Sequence, residues 1–178
     1  NRHRELRPSM SLLIIVGHVK DGIELAREYD LPRQVMHFIE SHHGTTLVEY
    51  FFHAANREAI DAGEDPIKDV DYRYPGPRPA SKEAAILMIA DAVESAARAL
   101  PDPNPARIEA LVRDLSRRRL LDHQFDECGL TFAELSRIEE AIIARLNSIY
   151  HARINYPKED GDEGGIDELD AAAAETSA

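Results

Sequence analysis

The chain has 178 residues, 43% of them hydrophobic and 30% charged, enough for one domain with a real core. Its formal net charge of −12 argues against a surface that coats a nucleic-acid polymer, but it leaves room for a small anionic ligand. The single cysteine, Cys128, rules out an internal disulfide and fits a reducing, cytoplasmic setting.

The opening residues NRHRELRPSM read as neither a signal peptide nor a transit peptide, and they begin with Asn rather than Met. The longest apolar run near the start, Leu12 to Val16, is too short to span a bilayer. The expectation is therefore a piece of something longer. Asn1 to Pro8 reads as an entry loop. Ser9 is a candidate N-cap, and from Met10 apolar residues recur at helical spacing: Leu13, Ile14, Val16, Gly17, Ile23 and Leu25. His18 falls on or beside that face. Taken alone, it reads as a core histidine bonded to a carbonyl.

Pro32 opens a second helix, with Val35, Met36, Phe38 and Ile39 apolar as far as His42 and His43. Adjacent imidazoles on a helix diverge by about 100°. A relaxed last turn lets both rings swing toward one point, and Gly44 is suited to end the helix in the left-handed conformation. Thr45 or Thr46 is expected to cap a third helix running to Ala62, with Gly63 ending it. The bland alternative is two solvated histidines at a polar helix end. Glu64 to Ala80 carries four prolines and cannot be a helix interior. Long ordered loops are often functional, and Arg73, Arg78 and the tyrosines offer anion-binding and base-stacking chemistry. A proline-stiffened crossover explains the same residues.

Ser81 caps the most apolar helix, and Asp91 lies inside its run AILMIADAV. A carboxylate in such a place needs a partner or a cation. Pro101 to Pro105 reads as a rigid turn and Ala106 to Leu121 as an amphipathic helix whose Arg117–Arg119 run is a solvated face. Thr131 and Glu134 form a capping box for a last helix with Leu135, Ile138, Ile142, Ile143, Leu146 and Ile149 on its apolar side. The ordered domain is expected over 1–157, and Lys158 to Ala178 as an acidic disordered tail. No strand pattern or repeat stands out, so the fold class is all-α.

His18, His42, His43 and Asp91 then lie on three separate helices. Imidazole with carboxylate is a donor set for Zn, Mn or Fe(II). The segments GHVKDGIELAREYDLP, SHHGTTLVEYFF, DYRYPGPRPASKEAAILMIADAVESAAR and LTFAELSRIEEAI occur in the chain in that order. Together they resemble the C-terminal part of the cytoplasmic HD domain of seven-transmembrane HD phosphodiesterases of the PgpH type, over Leu6 to Pro157.

The resemblance implies an HD-domain helical bundle carrying two divalent transition-metal ions, Mn or Fe, that cuts cyclic di-AMP to linear pApA with a metal-activated water. It implies that His18, His42 and His43 share one metal and that Asp91 binds the other. Lys20, Asp21, Tyr72, Arg73, Tyr74, Ser81 and Lys82 match stretches characteristic of the family and are expected, more loosely, on the substrate side. The parent protein is expected at the cytoplasmic face of the cell membrane, anchored by transmembrane helices not in this chain; a homodimer remains open. One departure matters: the eight histidines are followed by Arg, Val, Phe, His, Gly, Ala, Gln and Ala, so no His-Asp dipeptide occurs. The helices bearing the first histidine and that pair are expected to precede this stretch, leaving this chain alone inactive or nearly so. The alternatives are a non-catalytic nucleotide-binding module, or hydrolysis of another cyclic dinucleotide or nucleotide.

Overall fold

The computed structural model describes residues 6–151, which form six α-helices and one 3-10 turn. In chain order they are α1 (Pro8–Glu28), α2 (Arg33–Ser41), α3 (Glu49–Ala62), the 3-10 turn (Asp69–Tyr72), α4 (Lys82–Arg98), α5 (Pro105–Leu121) and α6 (Phe132–His151). The all-α expectation holds over these residues. The proposed acidic tail, 158–178, lies outside them. No helix among the described residues is long and apolar enough to cross a membrane.

Helix ends follow local chemistry. Ser81 Oγ accepts from the Ala84 N–H at 3.2 Å, and Asn104 Oδ1 from the Arg107 N–H at 3.0 Å. The capping box of α6 is complete: the Glu134 N–H donates to Thr131 Oγ1 at 3.2 Å, and the Thr131 N–H donates to Glu134 Oε2 at 2.9 Å.

The larger core lies where α5 packs between α4 and α6. Met88, Ile89 and Val93 meet Ile108 and Val112, with Phe125, Cys128, Leu135 and Leu146 closing the layer, and all are buried. Each such aliphatic side chain contributes roughly 1.5–3 kcal/mol when removed from water. A smaller cluster joins α1, α3 and the 3-10 turn through Leu12, Phe51, Ala55 and Tyr72. Helix α2 touches both α1 and α4, and so ties the two layers together.

Two sequence expectations are corrected. The buried face of α1 is Pro8, Ser11, Leu12, Val19 and Ala26, whereas Leu13, Ile14 and Leu25 are 66%, 54% and 55% exposed. Helix α2 runs very close to α1 at one point, where a Cβ on Gly22 would sit 2.8 Å from Ile39 Cγ2. The helix also begins at Pro8, with Arg7 rather than Ser9 in the cap position. The third helix begins at Glu49 rather than Thr45. Thr45 belongs to the turn, and Thr46 to Val48 pair with the proline-rich segment: the Val48 N–H donates to the Tyr72 carbonyl at 2.9 Å and the Tyr74 N–H to the Thr46 carbonyl at 3.0 Å. Leu47 and Arg73 form an isolated antiparallel bridge. Two β-branched residues among these three, Thr46 and Val48, favour the pairing over a helical first turn.

Candidate metal centre

The close pass of α1 against α2 positions the first two histidines. His18 lies one turn before Gly22, His42 comes three residues after Ile39, and the short connection makes the helices antiparallel neighbours. Helix α2 stops at Ser41, so His42 and His43 lie in its unwinding end, and Gly44 turns the chain with φ 54°. The rings consequently converge: His42 and His43 centroids are 4.0 Å apart, and His18 is 5.4 Å from His42 and 5.0 Å from His43. One ring nitrogen from each lies within 4.8 Å of the other two.

Backbone carbonyls orient two of these rings. His18 Nδ1 meets the Ile15 carbonyl, and His42 Nδ1 meets the Ile39 carbonyl at 2.7 Å. A carbonyl can only accept, so each Nδ1 carries the proton of the neutral ring and each Nε2 keeps its lone pair. The two Nε2 atoms face each other at 3.3 Å. Two lone pairs at that distance repel unless a proton or a cation lies between them. Metal-bound histidines commonly have this arrangement, with the second nitrogen donating to a carbonyl. The residues present therefore fit a divalent metal ion.

His43 is half-buried and stacks on Tyr74, with centroids 4.2 Å apart and ring planes 23° from parallel. Its Nδ1 is 3.8 Å from Asp91 Oδ2. Burial, followed by the neighbouring His42, His18 and Arg119 charges, pushes His43 down to about 3, so its ring is neutral at ordinary pH. Burial and the Asp91 carboxylate push Tyr74 up to about 12, so it stays protonated. Asp91 itself is 44% exposed at its side chain, on the open side of the cluster rather than in the dry core.

A second layer locks the turn. A Cβ on Gly44 would lie 2.3 Å from Gln124 Oε1 and 2.7 Å from Met88 Cε, so this position needs glycine for space as well as for its left-handed φ. The buried Gln124 accepts from the Thr45 N–H at 2.9 Å and donates to Thr45 Oγ1 and the Asp122 carbonyl, each at 2.9 Å. Arg73 donates to the Thr45 carbonyl at 2.9 Å and to Asp122 Oδ1 at 2.9 Å, and its Nε donates to Asp69 at 3.1 Å. Burial alone would weaken the Arg73 cation, but its hydrogen bonds to Asp122 and Asp69 hold its pKa above the usual arginine range.

Of the residues singled out in the sequence, His18, His42, His43, Asp91 and Tyr74 come together. Lys20 and Asp21 are exposed beside His18, and Lys20 pairs loosely with Glu24 at 3.7 Å. Tyr72 is buried in the smaller core, and Arg73 braces the His-His turn. Ser81 caps α4, and Lys82 holds Glu134 at 2.6 Å. Those two lie about 15 Å along α4 from Asp91, at 1.5 Å per residue. Sequence reading missed Gln124, Asp122 and Arg119. Arg119 had a signal. Ile108, Val112 and Ser116 recur at helical spacing on the buried side of α5, and Arg119 follows on that same stripe.

A family model for the HD domain matches residues 2–96. The chain belongs to the HD-domain family. The cyclic-di-AMP phosphodiesterase PgpH of Bacillus subtilis (strain 168) is 44% identical over 158 residues, covering 89% of this chain and 22% of that protein. The Listeria monocytogenes protein of the same name is 42% identical, over 88% of this chain and 21% of its own length. The chain thus spans about a fifth of the curated relatives it matches. The crystal structure of the L. monocytogenes phosphodiesterase PgpH HD domain in complex with cyclic-di-AMP superposes with a TM-score of 0.80 at 42% identity, covering 88% of this chain and 71% of that one. The six-helix arrangement here is therefore that of an HD domain.

Proposed function

We propose that this HD domain contributes three histidines and an aspartate to the metal site of a phosphodiesterase that opens cyclic di-AMP to linear pApA. The observation that carries this reading is the approach of His18 Nε2 to His42 Nε2 at 3.3 Å, with both Nδ1 atoms already engaged by carbonyls. The substrate assignment is supported by the cyclic-di-AMP phosphodiesterases that the chain resembles. His18, His42 and His43 would hold one divalent ion, and Asp91 would belong to a second. Bound Mn(II) or Fe(II) would supply Lewis acidity and a water made nucleophilic at neutral pH. The chain's own part is positional. Carbonyls fix the two Nε2 directions, Tyr74 sets the plane of His43, and Gln124 with Arg73 prevents the turn from opening. Tyr74, Lys20 and Asp21 are the substrate-side residues nearest the cluster. The same reading puts the domain on the cytoplasmic side of a membrane-anchored protein, as the sequence resemblance implies.

A second reading keeps the nucleotide site and drops the chemistry. It makes the domain a nucleotide-binding module without turnover. The test is formation of pApA from cyclic di-AMP by the longest polypeptide its gene encodes, with Mn(II) or Fe(II), beside His42→Ala and Asp91→Ala. Product from the parent and none from folded variants supports the enzyme. Cyclic di-AMP bound but left intact selects the binding module. A metal-loaded parent that neither binds nor cleaves it overturns both.

A further inference from the structure

Two arginines border the His-His turn, and their surroundings are opposite. Arg73 has a full set of acceptors in Asp122, Asp69 and the Thr45 carbonyl. Arg119, in the last turn of α5, has none. Its Nε is buried without a hydrogen-bond partner, and among the described residues its guanidinium forms no ion pair or hydrogen bond. It is nonetheless close enough for its charge to act on His43 and Tyr74 and to feel Asp91, Glu49 and Asp122. Burial is the main influence on it and pulls its pKa below the usual arginine range, although a guanidinium keeps its charge at any ordinary pH.

A guanidinium has five donors in a rigid planar fork suited to two oxygens of a carboxylate or phosphate. Leaving the Nε–H of that fork out of water and unpaired is unfavourable. Neighbouring arginines show that the chain can satisfy such groups: Arg118 reaches Asp114 at 2.7 Å and Glu49 at 3.2 Å, and Arg117 reaches Asp114 at 3.1 Å. Carboxylates stand near Arg119 without closing on it. The group beside the histidine cluster that is short of an anion is thus a preorganised cation.

We infer that Arg119 binds substrate, donating its fork to the non-bridging oxygens of the phosphodiester held at the His18–His42–His43 cluster. This rests on the phosphodiester reading of the site above. Arg119 brings a positive charge from α5 close enough to act on His43 and Tyr74. It strengthens as charge accumulates on those oxygens during cleavage. The Arg117–Arg119 run therefore divides by helical angle into two solvent-facing, ion-paired residues and one inward-facing, ligand-seeking residue.

The test compares the parent with Arg119→Met, which keeps the apolar stem, and Arg119→Lys, which keeps the charge without the fork. Four quantities are read: Mn(II) affinity, cyclic di-AMP affinity, cyclic di-AMP turnover, and melting temperature without ligand. For Arg119→Met, kcat/KM for cyclic di-AMP should fall about a hundredfold, as for loss of one preorganised charge-stabilising donor. Its Mn(II) affinity should stay within about twofold of the parent, and its melting temperature should be unchanged or higher, because a buried, unpaired N–H has gone. Arg119→Lys should recover part of the lost kcat/KM and little of the lost affinity. Unchanged kcat/KM and affinity in Arg119→Met overturn the inference. So does a parallel loss of melting temperature, Mn(II) binding and cyclic di-AMP binding, which marks Arg119 as scaffold. If Arg119→Met fails to fold, Arg119→Lys decides: parent-like kcat/KM and affinity refute the fork, and a selective loss of both with Mn(II) binding intact supports it. A wild-type protein that neither binds nor cleaves cyclic di-AMP overturns the functional reading and Arg119's role with it, whereas a wild type that cleaves beside an equally active Arg119→Met removes this inference alone.

Discussion

The two layers of this domain are built to different standards. In α4–α5–α6, Val93 and Val112 are completely buried and Met88, Ile89 and Ile108 nearly so, and apolar side chains meet across both helix interfaces. In α1–α3, only Leu12, Phe51, Ala55 and Tyr72 form a buried cluster, small residues make the closest contacts, and Leu13, Ile14, Tyr50 and Ile60 face outward. The histidines belong to the second layer and Asp91 to the first. The site lies on the seam, and the polar contacts that cross it (Gln124 to Thr45, Asp122 to Arg73) set its geometry. Apolar packing supplies bulk stability but little direction, whereas hydrogen bonds with defined angles aim a side chain. A domain can therefore keep its dry core and its chemistry in separate layers and join them by a few oriented polar groups.

The largest expected effect tests the core side of that contrast. Ile108→Ala should destabilise by about 3–4 kcal/mol in urea unfolding, while the protein that remains folded keeps its Mn(II) affinity. Loss of metal affinity in the folded fraction would show that the layers are not separable. Gly44→Ala acts at the seam, where the new methyl meets Gln124 and Met88 and the left-handed φ disfavours any side chain. A loss of about 3 kcal/mol is expected, this time accompanied by weaker Mn(II) binding, because the His42–His43 turn must shift. Equal metal affinity would mean that the turn does not aim the rings.

Smaller effects sharpen the picture. Glu134 is held down to about 2, first by the Lys82 ammonium and then by the Thr131 N–H and hydroxyl. Its folded pKa lies below the ordinary glutamate value of about 4.3. Its stabilising contribution is therefore present above that pH and lost as the pH falls toward about 2. The difference in urea midpoint between parent and Glu134→Gln should be visible at pH 7 and shrink steadily below about pH 4.5. A constant difference would assign the effect to helix capping alone. The smallest change is expected at Leu13, 66% exposed on α1. Leu13→Gln should move stability by less than about 0.5 kcal/mol, and a loss above about 1.5 kcal/mol would mean that this face is covered in solution.

Local chemistry carried much of this structure in readable form. Prolines, the Ser81 cap, the Thr131–Glu134 box and helical periodicity located α2, α4, α5 and the start of α6 to within a residue or two, because helices are stabilised by neighbours in sequence. The His-His-Gly corner was legible for the same reason: where a helix must end is a nearest-neighbour matter. Tertiary packing decided the rest. Thr46 to Val48 stayed out of the helix because Tyr72 and Tyr74, some 25 residues away, offered backbone partners at 2.9 and 3.0 Å. The inner face of α1 is the one that meets α2 and α3, with Gly22 close against Ile39 and Leu12 in the smaller core. Arg73 and Arg119 look alike as residues in a list. Only the fold gives one its carboxylates and leaves the other inward and unpaired beside the histidines, since the groups around a buried charge come from several distant segments at once.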